Sequence, residues 1–89
     1  MITIVAYDIT ESRRRSKVAR LLADRGGARI QHSVFEIELP PHRLPLLQNS
    51  LAALIRPAVD RIHFYPVCQT CFAKAASIGP AYQGDLPDL

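Results

Sequence analysis

Residues Ile2 to Tyr7 place apolar side chains on both alternating faces, Ile2, Ile4 and Ala6 on one and Val5 and Tyr7 on the other, before the run meets Asp8. A strand patterned this way belongs inside a sheet with cover on both sides. A chain of 89 residues has little material for two covering layers. A protein of this size buries only about 60 to 65% of its unfolded surface and supports a single core. Its hydrophobic content of 48% is nevertheless high, so an apolar face is left for a second copy of the chain to cover. A homodimer is expected.

Behind Asp8 the pattern changes period. Thr10 or Ser12 can cap a helix, and Glu11 suits the positive end of its dipole. The helix runs to about Arg25, with Val18, Leu21 and Leu22 as its buried stripe. Arg13, Lys17, Arg20 and Asp24 follow on an adjoining face, while Arg14 lies in line with the stripe at the end nearest Asp8. Gly26-Gly27 ends the helix. From Ala28 to Leu39 the parity switches between Ile30, His32, Val34 and Phe35, Ile37, Leu39, which predicts two short antiparallel strands turning near His32-Ser33.

Pro40-Pro41 stops the sheet. Leu44, Leu47, Leu51, Leu54 and Ile55 then recur at helical spacing up to Pro57, with Pro45 acceptable in the first turn. Arg61 to Tyr65 forms a last core strand, Ile62 and Phe64 opposite His63 and Tyr65, closed by Pro66. The order βαββαβ predicts an α+β fold, the ferredoxin-like sandwich of an antiparallel sheet with two helices on one face. Its other face is bare within the motif and is the expected dimer surface. The domain is expected over residues 1–82, with a core at 1–66 and an extension at 67–82. In that extension Ala75 to Ile78 is expected to form a short fifth strand on an exposed sheet edge, of its own chain or of the partner copy. Residues 83–89 read as a flexible tail.

The net charge of +3 is unevenly spread. Residues 1–29 hold seven basic and three acidic side chains, whereas residues 30–89 hold four basic and five acidic. Nine of the eleven basic residues are Arg, whose planar fork suits phosphate. Arg13, Arg14, Arg15, Lys17 and Arg29 are the candidate nucleic-acid contacts, with Tyr7 and Tyr65 able to add to them. The plain alternative is a solvated basic helix face. No aromatic-rich base-stacking signature accompanies these cations, so binding should rest on backbone charge and depend steeply on salt. No apolar run reaches the length of a membrane span and no signal-peptide pattern opens the chain, which predicts a cytoplasmic protein without a membrane partner.

Asp8 has two readings. It can begin the strand-to-helix turn by accepting backbone N–H groups, or it can ligate a hard metal. Mg²⁺ often takes one or two protein carboxylates and completes its shell with water and phosphate oxygens. Two copies of Asp8 at a dimer axis would make such a weak site, Glu11 being the one other acid close in sequence. His32 and His63 stand alone and read as exposed strand positions, and Ser33 lacks evident triad partners. Cys68-Gln69-Thr70-Cys71 fits a pair of small buried thiols, half a zinc site completed by a second copy, or a redox pair lacking the usual βαβ context. A metal-carrying or ligand-sensing module built on these thiols is a separate functional reading.

Tyr7-Asp8-Ile9, Arg13-Arg14-x-x-Lys17-Val18, Gly27-x-Arg29-Ile30-Gln31-x-Ser33-Val34-Phe35-Glu36 and Arg61-Ile62-x-Phe64-Tyr65-Pro66 occur in order across residues 2–78. This ordered set closely resembles the CRISPR-associated protein 2 family, and the Cys-x-x-Cys with its following Ile-Gly is similar to one branch of it. The resemblance implies a ferredoxin-like homodimer acting in CRISPR adaptation, or spacer acquisition, that bridges a partner integrase and supports duplex prespacer DNA. It also implies a possible metal-dependent endonuclease of RNA or double-stranded DNA, with the catalytic Asp8 of both protomers around Mg²⁺ or Mn²⁺. The adaptor role requires shape and positive charge, whereas the nuclease role requires Asp8 to hold a metal. The long apolar, cysteine-containing tail departs from many members.

Overall fold

The computed structural model describes residues 1–80. Its first strand, β1 (Ile2–Asp8), is followed by helix α1 (Ser12–Asp24), strands β2 (Ala28–Gln31) and β3 (Val34–Glu38), helix α2 (Leu44–Ala52), strand β4 (Arg61–Val67) and a short helix α3 (Gln69–Ala73). The four strands form one antiparallel sheet in the order β2-β3-β1-β4. The most apolar strand thus lies inside the sheet, as its two-sided pattern requires. A small α+β fold with a four-stranded antiparallel sheet is the observed architecture.

Register separates the two sheet faces. Val5 pairs with Phe35 and Phe64, and Tyr7 with Ile62, so these side chains share the covered face. There they pack with Val18, Ala19 and Leu22 of α1 and Leu47 and Leu51 of α2 in one buried cluster. Phe35 and Leu22 are fully buried, and burial of such a side chain stabilises a fold by about 1.5–3 kcal/mol. On the opposite face, Ile4 pairs with Glu36 and Tyr65, and Ala6 with Val34 and His63. Ile2, Ile4 and Ala6 remain only half-buried there.

The glycine pair ends α1 through two backbone bonds, Gly26 N–H to Ala23 O at 3.0 Å and Gly27 N–H to Leu22 O at 2.8 Å. Gly26 has φ +89°, a conformation that costs other residues energy. The β2–β3 turn falls at His32-Ser33, as expected, and the pairing slips between Arg29 and Gln31.

Several boundaries differ from the sequence reading. Glu11, rather than Thr10 or Ser12, caps α1. Its longer side chain reaches two N–H groups of the first turn from a residue already in extended conformation. Helix α2 ends at Ala52, before Pro57, although Leu54 and Ile55 still pack against the core from the following turns. Pro66 lies within β4 opposite Thr3. An edge strand is where a sheet tolerates a residue without N–H. The expected fifth strand is absent among the described residues: the chain forms α3 and then continues through residues 75–78 without strand structure. The end of the expected domain at 81–82 and the tail at 83–89 lie outside the described residues.

Candidate nucleic-acid interface

The junction between β1 and α1 is built by short-range bonds. Glu11 Oε2 accepts from Arg13 N at 2.8 Å, and its Oε1 accepts from Arg14 N at 3.0 Å. These two N–H groups, Arg13 first, hold the Glu11 carboxyl below its ordinary pKa. Their cost of being unpaired at a helix start is thereby removed.

Arg14 turns toward the protein. Its Nε donates to Asp60 Oδ2 at 2.7 Å and its Nη2 to Asp60 Oδ1 at 3.3 Å. Asp60 Oδ2 also accepts from Arg56 N at 2.9 Å. The guanidinium, ahead of the Arg56 N–H, holds the Asp60 carboxyl below the usual aspartate range, and Asp60 in turn raises the Arg14 pKa. The Asp60 side chain has no exposed surface. Arg14, expected on phosphate, instead fastens the first turn of α1 to the loop before β4.

Arg15 donates from Nη1 to the carbonyls of Ile9 and Thr10, both at 3.2 Å. Arg29 folds over its own turn, with Nε 3.1 Å from His32 O and Nη2 also donating to that carbonyl. Its guanidinium carbon lies 5.9 Å from the Phe35 ring centroid, within cation–π range. Arg13 and Lys17 are exposed, as is Arg20 in the same helical row. The structure thus divides the expected cations into outward groups on α1 and groups that also organise the surrounding backbone.

Asp8 is exposed at the end of β1 and shares its parity with Ile4 and Ala6, opposite Arg61. A cleft of about 330 Å³ brings it together with Thr10, Arg15, His32 and Ser33. Ser33 is held there because its carbonyl accepts from Tyr7 N at 3.0 Å. His32 and Ser33 each lack functional partners nearby in sequence. The available signal was topological: pairing β3 beside β1 carries the β2–β3 turn to the end where Asp8 stands. On the bare face His63 stacks with Tyr65, their ring centroids 6.2 Å apart and planes 21° apart.

Among the described residues no three or more His, Cys, Asp or Glu side chains gather to hold a metal ion. The Asp8 carboxylate has no such group around it within one chain. Cys68 and Cys71 are free and exposed, which corrects the reading of buried structural thiols. Their position directly after an edge strand leaves them outside the core. No helix among the described residues is long and apolar enough to cross a membrane.

These features define a small α+β protein whose basic helix and strand-end carboxylate flank a sheet covered by helices on one face and half-exposed on the other. The profile of the family described as CRISPR associated protein Cas2 matches residues 1–75. The chain belongs to the Cas2 family. It is 41% identical over 76 residues to the CRISPR-associated endoribonuclease Cas2 4 of Rhodospirillum rubrum, the match covering 85% of this chain and 60% of that relative's length. Among solved structures it is similar to Streptococcus pyogenes Cas2, with a TM-score of 0.78 and 28% identity over 89% of this chain and 100% of that one. A chain of a partial Cas6-RT-Cas1–Cas2 complex is also similar, with a TM-score of 0.73, 26% identity, and coverage of 86% of this chain and 83% of that one.

Proposed function

We propose that this chain is a CRISPR adaptation protein: a homodimer of ferredoxin-like subunits that binds duplex nucleic acid and bridges the integrase subunits during spacer acquisition. The observation that carries this reading is the bare sheet face, where Ile2, Ile4 and Ala6 are half-buried between the edge strand bearing Tyr65 and the β3 strand bearing Val34. Joining two such faces would cover the second side of β1, which its apolar pattern calls for. It would also double the positive field of Arg13, Lys17 and Arg20, favouring a phosphate backbone. The ferredoxin-like assignment is supported by the element and strand orders. The integrase partnership draws on the similar chain in a complex that includes Cas1. The cytoplasm, where such nucleic acid would be met, is the proposed place of action.

Sedimentation of purified protein with labelled duplex DNA tests this reading. Dimers at micromolar concentration that bind DNA, and monomers with weakened binding in Ile4→Arg, are expected. Well-folded single molecules indifferent to DNA and RNA in dilute buffer would refute it.

A second reading is a Mg²⁺- or Mn²⁺-dependent endonuclease of RNA or double-stranded DNA, favoured by exposure of Asp8 in the cleft with Arg15, His32 and Ser33. The Rhodospirillum relative is named an endoribonuclease. Asp8 from two protomers, together with phosphate oxygens, would hold the ion weakly, and a bound ion would polarise the scissile phosphodiester. Asp8→Asn should abolish metal-dependent cleavage while nucleic-acid binding persists. Equal cleavage by wild type and Asp8→Asn, with or without Mg²⁺, would assign the activity to a contaminant.

A further inference from the structure

We infer that Cys68 and Cys71 form a dithiol modification site that reacts with low-molecular-weight disulfides, Cys68 attacking first and Cys71 then closing an intramolecular disulfide. The inference rests on the local arrangement of the two thiols and is independent of the proposed nucleic-acid function.

Cys68 is the last residue before α3, and Cys71 lies in its first turn. The Cys71 N–H donates to Cys68 Sγ at 3.3 Å. Both residues are exposed and both thiols are free. The pair is therefore reachable by a small reagent and already folded toward itself. Positions this close can meet the backbone separation that a disulfide requires, about 4.4–6.8 Å between Cα atoms. A third His, Cys, Asp or Glu to complete a metal cluster is absent among the described residues.

The electrostatics distinguish the two sulfurs. The Cys71 N–H, followed by the Cys71 thiol, stabilises a thiolate at Cys68 and holds its pKa below the ordinary cysteine value. Donation to Cys68 pushes the Cys71 thiol the other way. Exchange begins at the sulfur that more readily becomes a thiolate, and the second sulfur gives up its proton only when it resolves the mixed disulfide.

The reaction balances with a disulfide RSSR as oxidant. The Cys68 thiolate, its proton released to solvent, attacks one sulfur of RSSR, forming a mixed disulfide and expelling RS⁻. Cys71 then gives up its proton and attacks Cys68 Sγ, forming the Cys68–Cys71 bond and expelling the second RS⁻. The protein dithiol loses two electrons, RSSR gains them, and the two released protons convert both RS⁻ ions to RSH. The bond would tie the end of β4 to the first turn of α3. A helix this short has little stability of its own, and its Phe72, with Ala75 and Pro80 of the segment after it, borders a cleft of about 470 Å³ against Arg29, Ile30 and Glu36.

Oxidised glutathione is the test reagent, applied to the full chain and followed by intact-protein and peptide mass spectrometry. Wild type should lose two hydrogens and gain no lasting adduct. Cys71→Ser should trap glutathione on Cys68 faster than Cys68→Ser traps it on Cys71, because the Cys71 N–H stands against Cys68 Sγ and favours its thiolate. Circular dichroism should show both variants folded like wild type. Equal trapping rates, disulfides formed only between chains, or two thiols protected by zinc at one ion per two chains would each overturn the inference.

Discussion

Arg14 and Asp60, 46 positions apart, meet through an Nε–Oδ2 hydrogen bond of 2.7 Å that secures the first turn of α1 to the loop entering β4. The pair ties the start of the basic helix to the loop before the edge strand. Breaking it leaves a buried polar group without its strongest partner.

Asp60→Ala should therefore lower the thermal midpoint by at least about 5 °C, a shift that one lost buried interaction can produce in so small a domain. Arg14→Ala should show a comparable loss, and the double variant should be less destabilised than the two single effects added together. A thermal melt of all four proteins checks this coupling.

Stability should also depend on Asp60 through pH. Its folded-state pKa lies below the ordinary aspartate value because of Arg14 first and the Arg56 N–H second. Glu11 is shifted in the same direction by the N–H groups of Arg13 and Arg14. The unfolded chain therefore takes up protons more readily than the folded one. The stabilisation is fully present above the unfolded carboxylate pKa of about 4 and is lost as pH falls through the folded values. Urea titrations from pH 6 down to pH 2 should show this decline, with a shallower acid limb in Asp60→Asn.

The division among the arginines predicts different salt responses. Arg13→Ala and Lys17→Ala should each reduce the slope of log affinity against log salt for duplex DNA by about 0.9 if each contacts one phosphate. Fluorescence anisotropy over a salt series measures this. Arg14→Ala should leave the slope nearly unchanged while lowering stability, because its guanidinium is already held by Asp60.

The end of α1 makes a backbone prediction. A Cβ at Gly27 would stand 2.7 Å from the Leu22 carbonyl oxygen, so Gly27→Ala must displace the turn. Gly26→Ala meets open space but retains φ +89°, with a cost of about 1 kcal/mol for the left-handed conformation. Chemical denaturation should rank Gly27→Ala as the more damaging change.

Much of the fold was legible because its signals are local. The β1 pattern, the glycine stop after α1, the parity switch before Val34 and the leucine spacing of α2 each constrain a few neighbouring residues. Pro66 falls inside a strand and does not close it, because tertiary position overrides local preference and an edge strand accepts the proline. Residues 75–78 have no strand structure within one chain and follow the helix at Gln69–Ala73. The candidate site was less legible. Asp8 and the cations stood out by charge, but the approach of His32 and Ser33 to Asp8 depends on strand pairing across the sheet.

The amino-acid order alone determined the alternation of strands and helices, the basic character of α1, and the family resemblance, because periodicity, charge and motif spacing are properties of a linear chain. Tertiary structure decided which arginines face outward, which one is bound to Asp60, and that the two cysteines lie exposed at the end of an edge strand. Those outcomes depend on contacts between distant segments. Residues of identical charge acquire different roles when burial removes water from one and leaves another solvated.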